Sequence, residues 1–333
     1  MLLGSSTPLV DRYDLAMLDL DGVVYVGPDA VPGAAEAIEG WRSHGSALAF
    51  ITNNASRPAE RVAEHLLELG VEAQAQDVVT SSQAVASLMQ RDLGNGARVV
   101  ALGAAGLVEP LETAGLTVVG PDDSEAAAAV VTGYGPDVAW KDIMKVAVLL
   151  RDGLRWYATN TDMTIPTPFG VAPGHGVQVE MLRRFSGREP IVAGKPSAPL
   201  LEVTMERVGG ERPLMVGDRL DTDIRGGRNA GVDTLLVLTG VTGLSELAAA
   251  VAEERPDHLA LDLGGLLESH VGVVEQDGRA TCEGWEARVS EGRLSVDGDG
   301  PAVAWWRSAA VALWRHLDST GSPADVDGVD APG

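Results

Sequence analysis

Short apolar runs alternate with amphipathic, helix-length segments through most of this chain, and that alternation restricts the fold more than any other feature. Leu15-Ala16-Met17-Leu18 precedes a segment with Ala34, Ile38 and Trp41 at helical spacing and Gly45 as its stop. Residues 47–51 are apolar again, followed by a helix through Val62, Leu66 and Leu69 closed by Gly70, then by Val78-Val79. Runs that are apolar throughout belong to strands buried on both faces, and strands separated by helices pair in parallel. The expectation is an α/β fold with a doubly wound parallel, Rossmann-like core sheet.

The alternation restarts after residue 81 with different content. Strands are expected at 99–102, 129–131 and 156–158, helices at 107–114 and 140–152, then a Thr-, Pro- and Gly-rich stretch over 160–176 and a helix over 177–186. Residues 82–187 therefore read as an inserted α/β cap, with the core formed by 1–81 and 188–268. In the returning core, strands 191–193, 214–216, 234–238 and 259–261 alternate with helices 198–208, 221–230 and 247–254. Beyond residue 269 the composition shifts. Strands 279–289 and 293–296, joined at Glu291-Gly292, and an amphipathic helix over 303–317 make a small C-terminal α+β appendage, 269–318. It holds Trp285, Trp305, Trp306 and Trp314, four of the 7 tryptophans, which suit the core of a region too small to bury much else. Residues 319–333 show no periodicity and are expected to be a disordered tail.

With 48 acidic and 25 basic residues the chain carries a formal charge of -23. That argues against nucleic-acid partners and anionic membrane surfaces. No apolar run approaches a membrane span, residues 1–10 do not form a signal peptide, and one cysteine, Cys282, excludes a disulfide framework. The expected compartment is the cytoplasm. A small anionic substrate would be repelled at long range, so a phosphate site here needs local cations. Lysine is scarce, at positions 141, 145 and 195 only, which draws attention to each.

Four expected strand ends carry polar clusters: Asp19 and Asp21; Thr52, Asn53 and Asn54; Lys195; and Asp218 with Asp221 and Asp223. Ligands bind at the carboxyl ends of strands in open α/β sheets. Taken singly, each cluster has an ordinary structural reading: an acidic turn, a helix cap, a surface lysine before proline, a helix-start carboxylate. Together, and in this order, they supply paired carboxylates for a divalent cation, a nucleophile beside a proton donor, and a local positive charge. Those are the parts of a phosphoryl-transfer site.

Asp19-Leu20-Asp21-Gly22-Val23, Ile51-Thr52-Asn53-Asn54, Gly194-Lys195-Pro196 and Gly217-Asp218-Arg219-Leu220-Asp221-Thr222-Asp223 resemble the four motifs of haloacid dehalogenase-like phosphatases. They are most similar to the para-nitrophenylphosphatase-like subfamily, over about residues 13–268. That family places an α/β cap between its second and third motifs, where 82–187 lies. In length and C-terminal extension the chain resembles the glycerol-3-phosphate phosphatases of actinobacteria.

The resemblance implies a Mg²⁺-dependent phosphomonoesterase. Asp19 would be the nucleophile that forms an aspartyl phosphate, and Asp21 the acid and base. Asp19, the Asp21 carbonyl and Asp218 would be metal ligands, and Lys195, Thr52 and the Asn53 amide, at a helix start, would stabilise the transferring group. Asp223 would stand outside the first ligand sphere, and Asp221 would either share that role or be a solvated carboxylate at the helix start. For the substrate it points to Tyr134 and to the loop with Asn160, Asp162 and Thr164. Asn54, Arg57 and His175 are further candidates. Small polar loops without an aromatic cluster favour a compact polyol phosphate, glycerol 3-phosphate first, with phosphoglycolate, pyridoxal phosphate and nucleoside monophosphates as alternatives. A phosphotransferase or mutase, and a regulatory binding protein working through the appendage, are the other readings, and a homodimer through cap or appendage is left open.

Overall fold

The computed structural model describes residues 2–167 and 170–332. It divides into two compact units, Met1–Leu48 with Val208–Gly333, and Ala49–Arg207. Strand Ala47–Thr52 begins in the first unit and ends in the second.

In the first unit Leu15–Leu18 pairs in parallel with Pro213–Gly217, that strand with Asp233–Val237, and that one with His258–Ala260. All four residues of Leu15–Leu18 are buried, as a run apolar throughout requires. Helix Ala34–Ser43 buries Ala34, Ala37, Ile38 and Trp41, the spacing of one helical face. The register sets Leu18 beside Val216, and the Asp19 amide donates to the Val216 carbonyl at 2.9 Å. Asp19 and Gly217-Asp218 therefore leave neighbouring strands at the same edge. The helix expected over 221–230 starts as a wide turn, Leu220–Ile224, in which the Ile224 amide reaches back five residues to Arg219, and continues as Arg225–Asn229. Such turns collect at functional sites.

The C-terminal sheet has four antiparallel strands in chain order, Val274–Gln276, Arg279–Cys282, Trp285–Ser290 and Arg293–Gly298. Every connection is a two-residue turn of an acidic residue and glycine: Asp277-Gly278, Glu283-Gly284 and Glu291-Gly292. All six have positive φ, between 40° and 93°. That geometry matches the right-handed strand twist, and glycine adopts it without strain. The single strand expected over 279–289 is thus two strands, because Glu283-Gly284 is a turn. Helix Ala302–Thr320 lies on this sheet, and Ala280, Ala287, Leu294, Trp305 and Trp314 share one core with Leu236, Leu247 and Leu259. The tryptophans serve as core, with the Trp314 Nε1 donating to the Leu247 carbonyl at 3.1 Å.

Residues 319–332 do not form the disordered tail expected over 319–333, whose last residue lies outside the described ones. The helix runs to Thr320, Asp325 exchanges backbone hydrogen bonds with Gly292 and Leu294 at 2.7 and 3.0 Å, and Ala324 is buried. Val326, Val329 and Ala331 supply enough apolar surface to dock a short segment onto the helix.

Near the N-terminal arm the Tyr13 hydroxyl donates to Asp233 at 2.7 Å and lies 2.9 Å from His258 Nε2. The His258 and His270 rings meet edge to face at 5.1 Å. Burial, together with His270, Arg12 and Arg307, pushes the His258 pKa down to about 3. Burial and Arg307 push His270 to about 4.

The second unit carries a five-stranded parallel sheet, ordered Ile191–Val192, Arg155–Ala158, Ala129–Thr132, Arg98–Leu102, Thr117–Val119. Ile191 and Val192 pair with Tyr157 and Ala158. The run expected to resume the core sheet at 191–193 instead completes this one. Thr52 and Thr80 end the parallel pair Ala47–Thr52 and Val78–Thr80, and the Thr80–Gln83 capping box starts helix Ser81–Leu93. Helix His175–Ser186 follows the hairpin of Thr164–Thr167 and Gly170–Pro173.

Candidate active site

Asp19, Asp218 and Asp223 converge in the first unit, each offering one oxygen within 4.8 Å of the others. Asp19 is half-buried and the other two are 1% exposed. Adjacent parallel strands deliver Asp19 and Asp218, and the wide turn after Arg219 folds Asp223 back, its Oδ2 accepting the Arg219 amide at 3.1 Å. Asp218 Oδ2 accepts the Val241 amide at 2.7 Å, and its carbonyl accepts the Thr242 hydroxyl at 2.6 Å. Two like unit charges 4 Å apart repel by ~1 kcal/mol in water and ~4 kcal/mol near a protein surface. Three such groups call for a cation, and hard carboxylate oxygens suit a divalent ion such as Mg²⁺.

Asp21 follows on an exposed turn in which the Leu20 carbonyl accepts the amides of Val23, Val24 and Tyr25. Asp221 is outside the cluster. Its two oxygens accept from the Arg219 guanidinium at 3.1 and 2.9 Å. Burial pulls the Arg219 pKa down, but the Asp221 hydrogen bonds and the charges of Asp221, Asp223 and Asp218 outweigh it and raise it.

In the second unit Thr52 and Asn53 do not start a helix. The next one is Ala59–Glu68, preceded by Pro58, and residues 53–58 form a loop. The Thr52 hydroxyl oxygen accepts the Asn54 amide at 3.1 Å, and Asn54 Oδ1 accepts the Ser56 amide and hydroxyl at 2.9 and 2.7 Å. The buried Asn53 side chain grips Lys195. Its Oδ1 accepts the Lys195 amide at 2.8 Å, and its Nδ2 donates to the Lys195 carbonyl at 2.9 Å and to Asp162 Oδ1 at 3.0 Å. Lys195 is 2% exposed.

Asn160 Nδ2 donates to the Asn53 carbonyl at 2.7 Å, and Asn160 Oδ1 accepts the Asp162 amide at 3.2 Å. His175, the first residue of its helix, donates from Nδ1 to the Asn160 carbonyl at 2.8 Å. Burial lowers its pKa to about 4, so the ring is neutral at ordinary pH. Asn53, Asn160, Asp162, His175 and Lys195 are therefore brought together, whereas Arg57 and Thr164 are exposed and Tyr134 is half-buried between Gly133 and Gly135.

Reading motifs alone overlooked the Asn53 side chain, the place of Asp223 in the carboxylate cluster, and Val241 with Thr242 as supports of Asp218. The last had a visible signal, the polar Thr239-Gly240-Val241-Thr242 after an apolar strand. The other two depend on where the backbone turns.

Residues 16–117 match the family model described as haloacid dehalogenase-like hydrolase, and residues 192–266 the one described as HAD-hydrolase-like. The chain is 38% identical to D-glycerol 3-phosphate phosphatase of Mycobacterium tuberculosis, over 97% of this chain and 92% of the relative. It is 34% identical to phosphoglycolate phosphatase 2 of Arabidopsis thaliana, over 80% and 97%. The crystal structure of the Mycobacterium tuberculosis glycerol phosphate phosphatase with calcium superposes with a TM-score of 0.84 at 35% identity, covering 98% of this chain and 94% of that one. The same protein with magnesium gives 0.83 at 36% identity, covering 93% and 92%.

Proposed function

We propose, from the premise that this chain belongs to the haloacid dehalogenase-like phosphatases, that it hydrolyses glycerol 3-phosphate with Mg²⁺ through an aspartyl phosphate. The observation that carries the reading is the convergence of Asp19, Asp218 and Asp223 at the strand ends of the first unit. Asp19, Asp218 and the Asp21 carbonyl would hold the ion, with Asp223 beside them. When bound, it would offset the repulsion between carboxylate and phosphate.

The roles follow the family resemblance. An Asp19 oxygen forms a bond to phosphorus while the ester P–O bond breaks, and the Asp21 carboxyl gives its proton to the leaving alkoxide. Water then attacks phosphorus, Asp21 takes the proton, and the P–O bond to Asp19 breaks, releasing phosphate. The ammonium of Lys195, with Thr52 and the Asn53 amide, stabilises charge on the phosphoryl oxygens. Glycerol 3-phosphate is favoured over phosphoglycolate because the similarity to the glycerol phosphatase extends over nearly the whole chain, appendage included. A regulatory module working through residues 269–318 draws no support from the tryptophans, since Trp305 and Trp314 are buried in the core.

The test is phosphate release from glycerol 3-phosphate, phosphoglycolate, pyridoxal phosphate and a nucleoside monophosphate with Mg²⁺, run beside Asp19→Asn. Fastest turnover of glycerol 3-phosphate, lost with EDTA and with Asp19→Asn, is the expected result. Release that survives Asp19→Asn would refute the mechanism, and a different preferred ester would refute the substrate.

A further inference from the structure

Lys195 sits in a turn between Gly194 and Pro196, past the end of strand Ile191–Val192. The Asn53 amide group bonds its backbone, accepting the Lys195 N–H and donating to the Lys195 C=O. A buried backbone group left without this partner would be costly, so the primary amide specifies where the lysine Cα stands. Asn53 is itself held, because its carbonyl accepts from Ser81 Oγ at 2.6 Å and from Asn160 Nδ2 at 2.7 Å. Asn160 is held in turn by His175 Nδ1. Gly176 permits this approach, since a Cβ there would strike the Thr161 backbone. His175, Asn160, Asn53 and Lys195 form one unbroken, buried chain of hydrogen bonds within the second unit.

We infer that Asn53, Asn160 and His175 form a positioning relay for Lys195, so that the 160–162 loop and the phosphoryl-stabilising lysine are set as one piece. The inference rests on the phosphatase reading of Lys195 given above. None of the three side chains needs to touch substrate. Because Lys195 acts on the phosphoryl group common to every substrate, a broken relay lowers kcat for all phosphomonoesters alike. A direct contact to the alcohol part would instead raise KM for polyol phosphates and spare p-nitrophenyl phosphate.

Histidine permits a clean separation, because asparagine places a donor near the Nδ1 position and glutamine places its polar group near Nε2. Kinetics of His175→Leu, His175→Asn and His175→Gln on glycerol 3-phosphate and p-nitrophenyl phosphate, with Asn53→Ala beside them, form the test. For His175→Leu we expect kcat to fall about tenfold on both substrates, the weight of one buried hydrogen bond. His175→Asn should recover most of that loss and His175→Gln should not. Asn53→Ala, which removes both contacts to Lys195, should fall about a hundredfold.

Hydrogen exchange reads the same relay without catalysis. The Lys195 amide should exchange faster in Asn53→Ala and His175→Leu, and at the wild-type rate in His175→Asn, while strand Arg98–Leu102 stays protected. If His175→Leu exchanges fast throughout, the asparagine and glutamine variants decide. Rescue by glutamine alone, or a loss confined to glycerol 3-phosphate, would overturn the relay. Full activity of Lys195→Met on both esters would instead overturn the role given to the lysine, and the relay with it, whatever the exchange rates.

Discussion

The two units hold their polar groups in opposite ways. In the first, three carboxylates are driven together by neighbouring strand ends and a folded-back turn, and backbone amides bond two of them. In the second, a lysine backbone is held by an asparagine side chain that also meets Asp162, and Asn160 and an imidazole continue the same hydrogen-bonded network. Converging like charges make a site suited to an added cation. A buried network of hydrogen bonds makes one that is organised before anything binds. The difference separates affinity for a metal from alignment of a fixed charge.

The largest expected effect lies on the charged side. Asp19→Asn should reduce kcat by about a thousandfold or more, because the proposed nucleophile, also a proposed metal ligand, is lost. A residual rate within tenfold of wild type would break the comparison at its root. Next is the contrast between Asp223 and Asp221. Asp223→Asn should weaken Mg²⁺ activation by about ten- to a hundredfold, the scale seen when groups supporting a metal are changed. Asp221→Asn should leave it within about twofold, since Arg219 already holds that carboxylate at the surface. Mg²⁺ titrations of initial rate decide this, and equal effects would place Asp221 in the cluster.

Acid should act on both units through buried neutral histidines. His175, His258 and His270 have folded-state pKa values of about 4, 3 and 4, below the ordinary value of 6.5. The unfolded chain therefore takes up protons first. Stability is complete above pH 6.5 and falls as the pH drops toward 4, by about 1–2 kcal/mol per histidine between pH 6.5 and 5. Urea unfolding at pH 7, 6 and 5 reads it, and His175→Asn should flatten one share of the slope. A stability that rises over that interval would contradict the burial of these rings. The smallest effect belongs to the C-terminal segment. Deleting residues 322–332 removes the Asp325 bridge and the Trp306 to Pro332 hydrogen bond. It should lower stability by about 1–2 kcal/mol with kcat within twofold, because only a partly exposed apolar contact and a few surface bonds are lost.

The charged side was the more legible in the sequence. Asp19 and Asp218 each follow an apolar run directly, and a buried strand that ends in a carboxylate points to its place at the sheet edge without knowledge of the partner strand. Asp223 was visible as a residue but not as a cluster member, because a regular helix from 221 would have turned it elsewhere and a wide turn folds it back. The hydrogen-bonded side was less legible. Lys195 and Asn53 were both singled out, yet the bond between them joins positions 142 residues apart and has no local signature. The expectation that Asn53 starts a helix fails because residues 53–58 form a loop ahead of helix Ala59–Glu68.

Local patterns determined the α/β class, most strand and helix positions, the phosphatase motifs and the solvent-averse tryptophans of the C-terminal region. These rest on periodicity and on neighbouring residues, which short stretches of chain contain in full. The tertiary structure alone decided that residues 191–192 complete the second sheet, that the last eleven described residues dock rather than trail free, and that an asparagine side chain holds the lysine backbone. In each case the deciding energy comes from contacts between distant segments. An apolar run or a primary amide carries no record of which distant partner will satisfy it.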